Sequence, residues 1–426
     1  MKKFQRAKRG FARFAGGTED GEGRNSVFHH SNSPRLQIIA KKLAIILNKC
    51  LTTVLIGLSL HFFTSCSSPF EPEVEEYADL ESELVKEVND NQIPSLAAWV
   101  VKGDSIVWQN YIGYADLAAQ RAADNQTTYG LASISKLVIV TAVMQLQEQG
   151  LIDLDADVND YLPFEVRNPS FPELKITPFH LLTHTSGLAW PTNDSVIPGY
   201  YDHFPLDAAP PLGEWLPQLI LPQGENYVST VWKNSRPGER EWYSNIGASI
   251  LAYVVEMVSG IDYNEYCKQR IFEPLEMFNT SHNYADLDMN AAAVPYDSPT
   301  HAIGFYRYGG YPAGDLKSRP AEFARFIMAY MNGGRYKNAR ILQESTVQRI
   351  LEIQNPASGL CLIWSCTVGG WYGHAGGKTG VSAYVEFQRE SNVALMVVSN
   401  YRHGSIYPGN KIHALVRRIA KDWREK

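Results

Sequence analysis

Hydrophobic residues recur along the chain at two spacings, one typical of β-strands and the other of α-helices. Near both ends of the chain, short apolar runs bounded by turn residues predict a pair of strands, and a helix lies outside each pair. The predicted terminal elements are helices over residues 79–88 and 411–423 and strands over residues 96–101, 106–111, 383–388 and 393–399. The expected fold class is therefore α+β, with one antiparallel sheet built from N- and C-terminal strands and flanked by helices.

The middle of the chain is predicted to form a second lobe that is mostly helical. Helical spacing extends over residues 135–149, 246–258 and 321–331, and a glycine follows within two residues of each end. Residues 190–232 lack such spacing, are rich in Pro and aromatic residues, and contain no Lys or Arg. A long loop of this composition predicts a lid over a functional site, and packing over the core is the alternative.

The start of the chain differs from the rest in charge and hydropathy. Basic residues precede the apolar residues 51–63, an order that is typical of a signal peptide. This apolar stretch is short for a hydrocarbon core of ~30 Å. Residues 63–66 (FTSC) resemble a bacterial lipobox, in which the cysteine, here Cys66, is acylated and becomes the first mature residue.

These features predict a leader with a lipoprotein signal peptide over residues 1–65, a tether over residues 66–78 and a folded domain over residues 79–426. The expected mature protein is a lipoprotein that Cys66 anchors in the bacterial cell envelope, facing the periplasm or the exterior. Secretion without an anchor and an uncleaved membrane anchor are the alternatives. The oligomeric state stays open.

Charge and cysteine content narrow the possible partners. The net charge is -6, and the basic residues are concentrated in the leader, which leaves an acidic body that repels phosphate, so nucleic acid is not an expected partner. Cys361 and Cys366 are spaced for a disulfide across a short hairpin or for two buried thiols, and both interpretations stay open. His180 and His184 lie four residues apart without a third ligand, so they are interpreted as structural, and no metal or cofactor is expected.

Ser133 and Lys136 are predicted to lie one helical turn apart at the start of a central helix. A serine hydroxyl needs a neighbouring base to become a good nucleophile, and a lysine can be that base when burial and positive potential depress its pKa. The helix N-terminus provides such potential and directs N–H groups at a developing oxyanion. A Ser-x-x-Lys spacing alone is common, so other motifs must support it. The Gly-x-Ser-x-Gly motif of α/β-hydrolases is absent from the sequence.

Residues 130–136 (GLASISK) resemble the nucleophile motif of the serine β-lactamase and penicillin-binding protein superfamily. Similarity to its class C-like branch, which includes esterases, D-amino-acid peptidases and carboxypeptidases, is found at residues 176–188 (ITPFHLLTHTSGL), 237–238 (PG), 243–245 (YSN) and 271–280. The resemblance extends over roughly residues 79–425 and implies a DD-peptidase/β-lactamase-like fold. It also implies that Ser133 is the nucleophile, that Lys136 and Tyr243 transfer protons, and that Asn245 binds the substrate amide.

The third motif of this superfamily can be placed on the sequence in two ways. Residues 378–380 (KTG) spell its Lys-Thr-Gly, whereas alignment by the strand that follows places the motif on residues 374–376 (HAG). His-x-Gly is a familiar variant in the class C-like branch, and we prefer this second placement. The resemblance then assigns His374 and Gly376 to the substrate-binding strand.

The same placement makes the N–H of Gly377 the second oxyanion donor, paired with that of Ser133. In true β-lactamases, the lysine and threonine of this strand help to grip the carboxylate of the drug. Here a mostly neutral histidine and a methyl group occupy those positions. The resemblance therefore favours peptidase or esterase activity over antibiotic hydrolysis.

The leading hypothesis is a serine hydrolase that forms an acyl-enzyme with a small-molecule or peptide acyl substrate, namely a D-residue peptide, a cell-wall fragment or an ester. A true β-lactamase is one alternative. The other is a catalytically silent envelope receptor that binds cell-wall peptides or β-lactams in the same cleft.

Overall fold

The computed structural model describes residues 77–189, 204, 206, 210–367 and 369–425. The predicted leader, the lipidation site Cys66 and nearly all of the predicted tether lie outside the described residues. The predicted lid, residues 190–232, is described only in part.

An antiparallel sheet organises the described residues. The strands are β1 (Ser95–Lys102), β2 (Ser105–Asp116), β3 (Arg121–Ala122), β4 (Tyr129–Gly130), β5 (Lys317–Ser318), β6 (Arg335–Tyr336), β7 (Ala339–Arg340), β8 (Ser365–Thr367), β9 (Trp371–Lys378), β10 (Val381–Gln388) and β11 (Val393–Ser399). Seven of these strands form the main sheet in the order β3-β2-β1-β11-β10-β9-β8. The other four form two short pairs, β4 with β5 and β6 with β7.

The N- and C-terminal strands meet at the centre of this sheet. β1 and β11 pair in antiparallel register from Leu96 opposite Ser399 to Lys102 opposite Val393. The α+β prediction, with one sheet built from both ends of the chain, is therefore confirmed. The two central strands, β1 and β11, were recognisable because they contain continuous apolar runs, which is what a sheet covered on both faces requires.

Helices cover both faces of the sheet and form the second lobe. They are α1 (Ala78–Asp90), α2 (Lys136–Glu148), α3 (Pro178–Leu182), α4 (Leu212–Ile220), α5 (Asn245–Ser259), α6 (Tyr263–Cys267), α7 (Pro320–Met331), α8 (Glu344–Leu351) and α9 (Lys411–Glu425). A short π-helical turn, Lys268–Phe272, follows α6. In the described part of the chain, no single helix has the length and apolarity needed to cross a membrane.

Side chains of β1 alternate between two cores because successive residues of a strand point to opposite faces. Leu96, Ala98 and Val100 pack in the smaller core, together with buried residues of α1 and α9. Ala97 and Trp99 pack in the larger core, which also contains α2 and α5. The sheet thus separates a terminal-helix layer from the helical lobe.

Helix α2 lies at the centre of the larger core. Every residue from Lys136 to Leu146 is buried, which confirms the central position that its apolar faces predict. A charged residue in such a helix is costly to bury. Lys136 is therefore the residue of α2 whose position needs an explanation beyond packing.

One expectation about residues 190–232 is wrong, because the described part contains the regular helix α4. Its buried residues, Leu212, Trp215, Leu216, Leu219 and Ile220, follow helical spacing. Prolines at its start and in its interior obscured this pattern in the sequence. Prolines at the start of a helix are compatible with it. Proline has no N–H group, and the first N–H groups of a helix have no intrahelical acceptor in any case.

The cysteines of the described residues, Cys267, Cys361 and Cys366, are free thiols. Cys361 and Cys366 therefore do not form a disulfide in the structure, and that interpretation is wrong. Cys361 is fully buried and its thiol donates to the carbonyl of Leu351.

Candidate active site

The turn before α2 presents Ser133 at the edge of the helical lobe. It is a 3-10 turn, Ala132–Ser135, and it follows directly from β4. Ala132 has a φ of +46°, a left-handed conformation that is uncommon for a residue with a side chain. The turn is held by the Ser135 hydroxyl, which accepts a hydrogen bond of 3.0 Å from the N–H of Leu316. Ser133 itself is half-buried, so its hydroxyl lies at the boundary between core and solvent.

Lys136, the first residue of α2, reaches back to Ser133. Its Nζ donates to Ser133 Oγ at 3.0 Å and to the carbonyl oxygen of Ala313 at 2.7 Å. Neither partner carries a charge, and the lysine is 0% exposed. Burial therefore lowers the pKa of Lys136 well below its ordinary value of 10.5. The structure brings an amine of depressed basicity into hydrogen-bond contact with a serine hydroxyl.

Tyr243 completes this cluster from the segment that precedes α5. Its hydroxyl is hydrogen-bonded to the Ser133 side chain, and its ring centroid lies 5.0 Å from Lys136 Nζ. The residue is 37% exposed, so part of the side chain is accessible to solvent. Burial raises the pKa of its phenol, and the hydrogen bond with Ser133 opposes this rise.

Asn245 lies two residues further on, in the first turn of α5. Its neighbour Ser244 caps the helix, because the Ser244 hydroxyl accepts from the N–H of Gly247 at 3.0 Å. Asn245 is buried, and its Oδ1 has no hydrogen-bond partner among the described residues. A buried polar atom of this kind needs an explanation, and an amide that receives a substrate donor is one.

Strand β9 runs past the turn that carries Ser133. Its residue Gly376 approaches so closely that a Cβ there would lie 2.3 Å from the carbonyl oxygen of Leu131. Only glycine permits this approach. His374, two residues earlier on the same face, is buried, and both its burial and the charge of Lys136 lower its pKa to about 3. His374 is therefore a neutral side chain near the amine.

The register of β9 decides where the N–H of Gly377 points. β9 and β10 are joined by the two residues Thr379 and Gly380, with Lys378 opposite Val381. In a hairpin of this length, the pair next to the loop is hydrogen-bonded and the following pair is not. Gly377 belongs to that following pair, so its N–H is directed away from β10. The strand on the other side, β8, pairs with β9 only as far as Gly373, which leaves this N–H without a strand partner among the described residues.

Lys378 is engaged elsewhere. Its Nζ forms an ion pair with Asp315, and the two side chains are 10% and 0% exposed. Its ammonium also lies 4.7 Å and 5.1 Å from the ring centroids of Tyr306 and Tyr308. Residues 378–380 spell the expected Lys-Thr-Gly, but the structure places His374, not Lys378, near Lys136.

Two components of this cluster were missed by reasoning from sequence. The carbonyl of Ala313 holds Lys136, and no local pattern could have indicated a backbone atom so distant in the chain. His184 lies beside Tyr243, with 4.7 Å between the ring centroids, although it was interpreted only as structural. Within the described residues, no group of three His, Cys, Asp or Glu side chains is arranged to hold a metal ion.

The fold, together with a buried amine, a serine hydroxyl and a phenol in contact, is typical of hydrolases of the β-lactamase and penicillin-binding protein superfamily. A family model described as Beta-lactamase matches residues 78–416. The chain belongs to the β-lactamase family.

Curated relatives include peptidases and esterases. The D-alanyl-D-alanine-carboxypeptidase/endopeptidase AmpH of Escherichia coli K12 is 24% identical over 324 residues, which are 71% of this chain and 78% of that protein. Penicillin-binding protein 4* of Bacillus subtilis is 28% identical over 184 residues, 42% of this chain and 36% of that protein. Esterase EstB of Burkholderia gladioli is 26% identical over 220 residues, 51% of this chain and 54% of that protein. The chain therefore spans less than two thirds of the last two relatives.

Solved structures show the same fold. An octameric penicillin-binding protein homologue from Pyrococcus abyssi has a TM-score of 0.62 at 23% identity, over 81% of this chain and 77% of that one. A class C β-lactamase also has a TM-score of 0.62, at 17% identity, over 82% of this chain and 97% of that one.

Proposed function

We propose that this member of the β-lactamase family is a serine hydrolase that forms an acyl-enzyme through Ser133. The observation that carries the proposal is the 3.0 Å contact between Lys136 Nζ and Ser133 Oγ, made by a fully buried lysine without a charged hydrogen-bond partner. A lysine in this environment loses its proton at a lower pH than an exposed one. As a neutral amine it can accept the proton of the serine hydroxyl.

The proposed reaction has two halves. Ser133 Oγ attacks the substrate carbonyl carbon, and its proton moves to the amine of Lys136. Tyr243, hydrogen-bonded to Ser133, delivers a proton to the departing amine or alkoxide and regains one from Lys136. The ester bond of the acyl-enzyme then remains, with both groups neutral. Water then attacks the same carbonyl, gives its proton back through Tyr243 and Lys136, and releases the acid while Ser133 regains its hydrogen.

We assign two N–H groups to the stabilisation of the oxyanion that forms in each half. The first is that of Ser133, at the start of a 3-10 turn where N–H groups have no intrahelical acceptor. The second is that of Gly377, and the assignment is supported by the β9 register, which turns this N–H away from β10. A single donor of this kind contributes roughly 3 kcal/mol to transition-state stabilisation.

The surroundings of Ser133 favour neutral acyl substrates. His374 is neutral, the next residue, Ala375, presents only a methyl group, and Lys378 is paired with Asp315. The cluster therefore offers no free cation on β9 to grip a carboxylate, as β-lactam recognition by a strand lysine requires. D-residue peptides, cell-wall fragments and esters are the proposed substrates, and the names of the carboxypeptidase and esterase relatives agree with these classes.

A fluorophosphonate probe tests the proposal. The wild-type protein is expected to gain one covalent adduct, located at Ser133 by peptide mass spectrometry, and Ser133→Ala is expected to gain none. Ser345→Ala is the control, because Ser345 is an exposed serine of α8, and it is expected to gain the same adduct as the wild type. A folded wild-type sample that resists the probe would contradict the proposal. Turnover of a panel of D-amino-acid amides, p-nitrophenyl butyrate and nitrocefin then distinguishes a peptidase or esterase from a β-lactamase, and binding without turnover identifies a receptor.

We also propose that Cys66 anchors the protein in the bacterial cell envelope. The support is the order of basic residues, apolar residues 51–63 and the cysteine. Metabolic labelling with a fatty acid is expected to mark the wild-type protein and not Cys66→Ser. Equal labelling of both would contradict this proposal.

A further inference from the structure

His184 accepts hydrogen bonds from the backbone N–H groups of Trp242 and Ser244, the two residues that flank Tyr243. The carbonyl oxygen of His184 accepts from the N–H of Trp242 at 2.7 Å. Its ring Nδ1 accepts from the N–H of Ser244 at 3.3 Å. One residue thus holds the backbone immediately before and immediately after the tyrosine.

The imidazole also supports the tyrosine ring directly. The two ring centroids are 4.7 Å apart and the planes are inclined by 46°. Tyr243 is the most exposed member of the cluster that includes Ser133, Lys136 and His374. Burial alone therefore does not fix its position, and contacts with neighbours must do so.

The conformation of His184 is specialised for these contacts. Its φ is +53°, a left-handed value that costs energy for a residue with a side chain and that recurs at functional sites. The loop around it is fixed by further backbone bonds, including one of 2.8 Å from the N–H of Gly238 to the carbonyl of Thr185. This conformation lets the carbonyl and the ring of one residue serve two N–H groups of the facing segment.

His184 does not itself act as a base in this arrangement. Because Nδ1 accepts from Ser244, the ring proton lies on Nε2, and no free lone pair is left. Burial and the charge of Lys136 lower the pKa of His184 to about 3. The ring therefore stays neutral and adds no positive charge beside the amine.

We infer that His184 is a positioning residue that holds the Tyr243 hydroxyl at Ser133. The inference deepens the proposed function and rests on it, because it assigns a task to His184 only if Tyr243 transfers protons. Sequence places the two residues almost sixty positions apart, and only the pairing of their segments brings them together.

A double-mutant cycle tests the inference with p-nitrophenyl butyrate as substrate. His184→Phe keeps a ring but removes the acceptor, and we expect kcat to fall about tenfold with KM little changed, since one orienting hydrogen bond is lost. His184→Asn restores an acceptor near the position of Nδ1 and tolerates the left-handed backbone, and we expect it to recover most of kcat. In a Tyr243→Phe background, His184→Phe is expected to lower kcat by less than about twofold further.

His180→Phe is the matched control. His180 Nδ1 also accepts a backbone N–H, that of Thr177 at 3.3 Å, but it does not contact Tyr243. We expect it to lower the melting temperature and leave kcat unchanged. If His184→Phe does not unfold cooperatively, His184→Leu takes its place in the cycle.

The outcomes separate the two ideas. An equal loss of kcat from the His184 substitution in both backgrounds, or a failure of Asn to recover activity, overturns the positioning role and leaves the proposed function intact. Full activity of Tyr243→Phe overturns the proposed role of Tyr243, and the positioning role with it.

Discussion

Replacing Lys136 with methionine tests whether a catalytic amine is held in the core at a cost in stability. Methionine fills a similar volume without a charge, and the site is fully buried. General acid–base groups contribute about a hundredfold to ten-thousandfold to rate. We therefore expect the acylation rate of Lys136→Met to fall by at least about a hundredfold.

The pH dependence of stability follows from the depressed pKa of Lys136. Between that pKa and the ordinary value of 10.5, the unfolded chain binds one proton more than the folded protein. The unfolding free energy of the wild type therefore rises with pH in this window, by up to about 1.4 kcal/mol per pH unit. Below the window the full cost of burying the lysine is present, and above 10.5 it is gone.

Lys136→Met lacks this proton exchange. The melting temperature of the variant minus that of the wild type is expected to be largest on the acidic side and to decline across the window. At roughly 2 °C per kcal/mol for a protein of this size, the decline is about 3 °C per pH unit. Scanning calorimetry at several pH values, with pre-steady-state p-nitrophenol release on the same samples, measures both effects.

Lys317→Met is the control for the stability measurement. Burial lowers the pKa of Lys317 to about 7, with Asp315 opposing, and its Nζ donates to the carbonyl of His282 at 2.9 Å. The difference in melting temperature between Lys317→Met and the wild type should also depend on pH. The acylation rate of Lys317→Met should stay at the wild-type level. A constant melting-temperature difference for Lys136→Met from about pH 6 to about pH 10, or retained acylation, would refute the reasoning.

Three further predictions concern the surroundings of the cluster. Gly376→Ala places a Cβ against the Leu131 carbonyl at 2.3 Å, so urea denaturation should show a loss of about 1–3 kcal/mol and ester turnover should fall. Lys378→Met leaves Asp315 buried without its ion-pair partner and should lower the unfolding free energy by about 3–5 kcal/mol, measured in the same way. In residues 77–425, Cys366 is the partly exposed thiol, so mass spectrometry should find alkylation of the native protein there first.

Each of these predictions has a control and a contradicting result. Gly404→Ala meets no atom within 4 Å and should change neither stability nor turnover, and equal behaviour of the two glycine variants would contradict the close approach of β9. Asp315→Asn with Lys378→Met should recover part of the lost stability, since the carboxylate that Lys378 neutralises is then removed, and failure to do so would contradict the ion-pair argument. Equal alkylation of Cys267 in the folded protein would contradict the burial pattern.

The fold class was accessible from sequence because its signals are local. Strands β1 and β11 contain continuous apolar runs, and α5 ends at Gly260, whose φ of +71° provides a left-handed end. The helix α4 was missed because Pro217 lies within its apolar pattern. In the prediction, the proline content of this segment outweighed the helical spacing of its five buried residues.

Sequence by itself determined that Ser133 and Lys136 meet, because two residues three positions apart at a helix start lie on the same face whatever surrounds them. It also indicated that Tyr243 and Asn245 belong to a common motif. The sequence offered two placements of the third motif and favoured the one on His374. Tertiary structure alone decided that Lys378 pairs with Asp315 and that Ala313 and His184 complete the surroundings of the amine. The reason is physical: these contacts join segments far apart in the chain, and they depend on strand register and on the packing of one lobe against the sheet, which no local spacing encodes.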